Sequence, residues 1–168
     1  MLLISLNWVS IWGREMKNRK NNLKLHEEKY RLVNAVRSKN NLFWECVYCG
    51  QPATERDHVP PITRVYDYLS LGLKNNTFIK VPSCNSCNVI LSDSLQEDIF
   101  QRIEELKNHL IRKNKKHFYA KEWLEEDKKE LGKNLKSFVN AKLHKEKLIK
   151  SRVEYYEGYD KLLDILLD

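Results

Sequence analysis

Four cysteines stand in two close pairs, Cys46/Cys49 and Cys84/Cys87, and four thiolates in that pattern can close a tetrahedron on one metal ion. Each Cys-x-x-Cys turn offers two sulfurs to one ion while backbone amides help offset their charge. Two such turns complete a soft-ligand set suited to structural zinc. The stretch between the pairs, residues 50–83, is longer than a simple zinc ribbon needs, so the ion would pin the base of an inserted loop. Paired thiols in a chain without a recognisable export signal favour metal ligation over disulfides and imply a reducing, cytoplasmic setting.

The inserted loop carries Asp57-His58-Val59-Pro60, and Asn88 directly follows Cys87. Hydrolysis of a phosphodiester needs a base to take a proton from water and a cation to offset charge on the phosphate and the leaving oxygen. Histidine suits the first task. A carboxylate and an amide oxygen are hard donors suited to Mg²⁺ or Mn²⁺. At a bent strand end, Asp57 can face a metal while His58 faces water, and the first metal ion would anchor the helix that presents Asn88. Singly, Asp, His and Asn are common local hydrogen-bonding residues. Their combination with the cysteine turns points to chemistry.

The elements that must position these groups follow from periodicity. Residues 22–38 place Leu25, Leu32, Val33 and Val36 on one helical face and predict a docking helix. From residue 42, Pro52, Pro60, Pro61 and short β-prone runs replace that rhythm. We expect a strand over 53–59, a long loop with a helical turn over 62–76, a returning strand over 77–81, and a short helix capped by Ser83 that carries Cys84, Cys87 and Asn88. Ser94-Leu95-Gln96-Glu97 has the form of a capping box ahead of Leu95, Ile99, Ile103, Leu106 and Leu110, so a long amphipathic helix should follow. Further helices are expected over 119–131, 134–150 and 152–167, with Gly132 as a break and Leu162, Leu163 and Leu166 as an apolar stripe. The fold class is α+β. Its expected organisation is an N-terminal segment and docking helix (1–41), a compact centre (42–93) and a C-terminal helical extension (94–168).

Three pieces, CVYCG, RDHVPP and VPSCNSCN, together resemble the zinc-knuckle branch of the HNH, or His-Me finger, nucleases. The order CxxC, DH, CxxCN is similar to the endonuclease VII type of junction resolvase and to small phage and bacterial HNH proteins. The resemblance covers about residues 44–93. It implies a ββα-metal core, a β-hairpin plus short helix stabilised by zinc on Cys46, Cys49, Cys84 and Cys87. It further implies His58 as general base and Asp57 and Asn88 as ligands of a catalytic Mg²⁺ or Mn²⁺. The family's middle Asn, which orients the loop of the base, falls near Thr77, and either Asn76 or Thr77 would take that role.

The chain has 168 residues, with 30 Lys and Arg against 23 Asp and Glu, a formal charge of +7. That sign favours a polyanion, and DNA is the expected partner. Arg56, Arg64, Lys74 and Lys80 are candidates for phosphate contacts. Lysine-rich stretches at 107–116 and 142–152 either extend that track or form wet helix faces. The opening MLLISLNWVSIW lacks a basic lead and a cleavage site and is too short to span a bilayer, so no membrane association is expected. Translation from Met16 would place it upstream of the start. The resulting expectation is a DNA endonuclease. Its alternatives are a zinc-stabilised nucleic-acid-binding module without catalysis, and a phage-defence effector that needs a protein partner docked on the C-terminal helices. A homodimer would allow double-strand cleavage.

Overall fold

The computed structural model describes residues 19–72, 78–92, 94–118 and 123–167. Residues 1–18, and with them the apolar opening, lie outside that description, as do Lys74, Asn76 and Thr77. Among the described residues the chain forms an α+β fold around a three-stranded sheet of β1 (Arg31–Leu32), β2 (Glu55–Val59) and β3 (Ile79–Ser83), in the order β1-β3-β2. Strands β2 and β3 are antiparallel, with Asp57 opposite Val81 and His58 opposite Lys80. Strand β1 runs parallel to β3 and reaches only Ile79 and Lys80, so Pro82, which cannot donate to a ladder, lies beyond it.

The expected helix over 22–38 is corrected. Helix α1 (Arg19–His26) stops after two turns, and a 3₁₀ turn at Glu27–Lys29 leads into β1. The backbone amides of Arg31 and Val33 donate to the carbonyls of Phe78 and Lys80 at 2.9 Å. Non-local pairing with β3 outweighs a weak local helical preference. Val33 and Val36 are buried as the pattern required, whereas Leu25 and Leu32 are half exposed.

Between β2 and β3 the chain makes a 3₁₀ turn (Ile62–Arg64) and α2 (Val65–Ser70), which bury Ile62, Val65 and Tyr68 against Tyr30 and Phe78. Helix α3 (Asn85–Leu91) follows β3 directly. Its N-cap is Cys84, not Ser83; the first turn is closed from outside, Asn85 N donating to Thr54 Oγ1 at 3.3 Å. Helix α4 (Ile99–Lys113) is the expected amphipathic helix, with Ile99, Ile103, Leu106 and Leu110 buried. The expected capping box is corrected too, because Asp98 takes the cap, accepting from the amides of Phe100 and Gln101. Leu95 therefore precedes the helix and is exposed.

Helices α5 (Lys115–Phe118), α6 (Glu125–Lys129), α7 (Lys133–Val153) and α8 (Glu157–Leu167) complete the described chain. Gly132 caps α7 where the break was expected, and residues 119–122 of the expected helix 119–131 lie outside the described residues. No described helix is long and apolar enough to cross a membrane.

One hydrophobic cluster joins Val33, Val59, Val81, Leu91, Ile103, Leu106 and Leu162 to all four cysteines. Helix α8 meets the first cysteine turn without room for a side chain, since a Cβ at Gly158 would lie 2.3 Å from the Val47 carbonyl oxygen. Gly158→Ala should therefore destabilise the protein by roughly 1–3 kcal/mol, the usual cost of overpacking. Thermal unfolding checks this, and an unchanged midpoint would contradict the close approach.

Candidate metal and hydrolytic site

The first cysteine turn is built by its own backbone. Cys49 N and Gly50 N donate to the Cys46 carbonyl at 3.2 and 2.9 Å, and Gly50 takes the positive φ of 70° that suits glycine. The second pair sits at the start of α3, Cys84 at its cap and Cys87 in its first turn. The fold brings all four together. Their sulfurs lie within 4.8 Å of one another, Cys49 Sγ and Cys84 Sγ are 3.8 Å apart, and all four residues are buried and unbridged. A tetrahedral zinc with Zn–S bonds of about 2.3 Å spaces its sulfurs by about 3.8 Å, so the donor set fits that ion.

Electrostatics point the same way. Neighbouring thiols push Cys46 and Cys87 up, while hydrogen bonds from Cys46, Cys49 and Cys87 drive Cys84 towards thiolate. A divalent cation removes that conflict by letting all four ionise. Arg152 of α7 adds a positive charge at the rim, its Nη2 lying 3.3 Å from Ser86 Oγ and 3.5 Å from Cys87 Sγ. Although burial disfavours its charge, the nearby Cys49 and Cys87 hold it protonated.

The sheet and α3 also bring Asp57, His58 and Asn88 to the wall of one cavity of about 620 Å³, shared with Glu55, Arg56 and Arg102. Each of the three has an intramolecular partner. The buried Asp57 accepts from Arg102 Nη2 at 2.9 and 3.1 Å, one contact to each oxygen, and from the Tyr48 hydroxyl. Arg102 has no exposed side-chain surface, and its Nη2 also donates to the Leu91 carbonyl at 3.1 Å.

His58 Nε2 lies 2.8 Å from Glu27 Oε2, and the Tyr30 ring stacks edge-on against the imidazole at 4.8 Å. The Tyr30 hydroxyl donates to the Pro60 carbonyl at 2.8 Å, and Lys80 pairs with the other oxygen of Glu27. Burial lowers the His58 pKa, and the carboxylate of Glu27 opposes that shift without cancelling it. The Asn88 amide nitrogen donates to Glu55 Oε2, which leaves its Oδ1 as the group able to meet a cation.

Of the basic candidates, Arg56 lines the cavity and donates to Asn34 Oδ1. Arg64 is paired with Asp67 at 3.1 Å and Lys80 with Glu27, while Lys74 lies outside the described residues. Asn76, expected to steady the base, is likewise outside them.

Four participants went unread in the sequence: Glu27, Tyr48, Glu55 and Arg102. Two of them carried a signal. Glu55 shares a sheet face with Asp57 by strand alternation, and Arg102 interrupts an apolar stripe, three residues after Ile99 and four before Leu106. Tyr48 and Glu27 reach Asp57 and His58 only through the tertiary fold.

No family model, curated protein or solved structure matches the chain.

Proposed function

We propose that this chain is a zinc-stabilised endonuclease of the HNH type that hydrolyses phosphodiester bonds in DNA, the four cysteines holding the zinc of a ββα-metal core. The observation that carries the reading is the meeting of Asp57, His58 and Asn88 on one cavity beside the four-sulfur cluster. The excess positive charge of the chain supplies attraction for a polyanion, and Arg56, on the cavity wall, is the candidate we assign to a phosphate.

In this reading the hydrogen bond to Glu27 fixes the His58 tautomer. Nε2 carries the proton and donates it to the carboxylate, so Nδ1 keeps the lone pair that accepts a proton from water. The lowered pKa keeps the imidazole neutral at physiological pH, as a base requires. The water oxygen bonds to phosphorus, the bond to the 3′ oxygen breaks, and that oxygen leaves with a proton from solvent.

The family's Mg²⁺ or Mn²⁺ would neutralise charge on the phosphate. Asn88 Oδ1 fits such an ion, but the Asp57 carboxylate, engaged by Arg102 and Tyr48, does not fit one in this arrangement. The closed Asp57–Arg102 pair is also the observation that favours a second reading, a zinc-stabilised DNA-binding module without catalysis.

End-group analysis tests the main reading. Nicks made by the protein should carry 5′ phosphate and 3′ hydroxyl ends and be sealed directly by DNA ligase. Nicks that ligase cannot seal would contradict the proposed displacement.

The role of Glu27 gives a further expected result. Free histidine titrates near pH 6.5, and the buried His58 titrates lower, so the rate should rise with pH through a midpoint below that value. Glu27 pulls the His58 pKa upward, so Glu27→Gln should move the midpoint lower still. With the ring less firmly oriented, the plateau rate should fall roughly tenfold. A pH–rate profile of plasmid nicking checks both effects, and a midpoint that stays put would remove Glu27 from the base.

A further inference from the structure

We propose that Arg102 and a divalent cation compete for the Asp57 carboxylate, so that α4 supplies a resident cation at the position the nuclease reading gives to a metal ion; the inference rests on that reading. One guanidinium nitrogen lies 2.9 and 3.1 Å from the two carboxylate oxygens, and the Tyr48 hydroxyl meets one of them from another side. A metal ion bound by a carboxylate sits about 2.0–2.4 Å from the oxygen. A guanidinium already in contact with both oxygens would then face a dication at close range in a buried setting, where repulsion is poorly screened. The two cations are mutually exclusive.

The guanidinium is also the better-held of the two. Its side chain is fully buried, and the Leu91 carbonyl at the end of α3 accepts from Nη2 at 3.1 Å. Nη1 lies 3.5 Å from the Gln96 carbonyl. Removing either partner of a buried ion pair exposes the other to the full cost of an unpaired charge. The competing ion would have Asp57 and Asn88 as protein ligands and water for the rest, a weak set for Mg²⁺ or Mn²⁺. Arg102 therefore sets the concentration at which the ion enters, and α4, through that one side chain, is coupled to the state of the cavity.

The test is Mn²⁺ binding, followed by electron paramagnetic resonance of the free ion, on the zinc-loaded full chain. Wild type, Arg102→Met and Arg102→Lys are compared, with zinc content and thermal unfolding recorded for each. Arg102→Met should bind Mn²⁺ at least about tenfold more tightly than wild type, because the competing cation is gone. Adding Asp57→Asn should erase that gain. Arg102→Lys, which keeps one positive charge but loses the second guanidinium nitrogen that reaches the Gln96 carbonyl, should fall between them. An Arg102→Met protein that keeps its zinc and melts cooperatively, yet binds Mn²⁺ no more tightly than wild type, would overturn the proposal. Should Arg102→Met fail to fold, Arg102→Lys decides: tighter binding than wild type upholds competition, and equal or weaker binding overturns it. Loss of the nuclease reading would show separately, as DNA left intact while the Mn²⁺ comparison still returns its own answer.

Discussion

Chelating the ion from the four-cysteine cluster should abolish cooperative thermal unfolding, and Cys84→Ser should do the same while lowering bound zinc. The reason is where the sulfurs sit. Cys46 and Cys49 belong to the turn before β2, Cys84 and Cys87 begin α3, and all four lie inside the main hydrophobic cluster. An ion held there would tie two ends of the central unit through residues that also form its core. Without it, the neighbouring thiols hold Cys46 and Cys87 protonated, and the four sulfurs have no common ligand to share. Zinc binding in small modules is worth on the order of 10 kcal/mol or more, as much as the whole stability of an ordinary domain, about 5–15 kcal/mol. Zinc content and circular-dichroism melts, with and without chelator, measure the effect. A metal-free protein that melted at the same temperature would show that the core suffices alone.

Spacing made the four-cysteine cluster legible because a Cys-x-x-Cys turn is a local device whose geometry survives in any fold that brings two of them together. Strand β2 and helix α3 were readable for the same reason, although β3 begins and ends two residues later than expected, at Ile79 and Ser83. What failed was decided at long range. The segment after His26 has apolar residues at helical spacing, yet its amides are claimed by β3, some fifty residues away in sequence. Asp98 outcompetes Ser94 as a cap because the helix begins where Ile99 can enter the core, and local motif strength does not decide that. The partners of the expected site were hidden in the same way. Arg102 and Glu27 come from helical segments on either side of the centre, and only the folded chain puts a cation on Asp57 and a carboxylate on His58.

Replacing His58 by alanine should produce the second large effect, and it bears on catalysis with little effect on the fold. The imidazole is held from two sides, by Glu27 at 2.8 Å and by the edge-on contact with the Tyr30 ring, but its ring is not part of either hydrophobic cluster. Removing it should leave the four-cysteine cluster and the β2–β3 pairing in place. In the proposed nuclease the chemistry would lose the group that takes the proton from water, a contribution of typically 10²–10⁴-fold in rate. The most direct measurement is nicking of supercoiled plasmid in Mg²⁺ or Mn²⁺ by wild type and His58→Ala, matched for zinc content. Nicking by wild type and a rate at least about a hundredfold lower for His58→Ala is the predicted outcome; equal cleavage by the two proteins, or none by either, would contradict it.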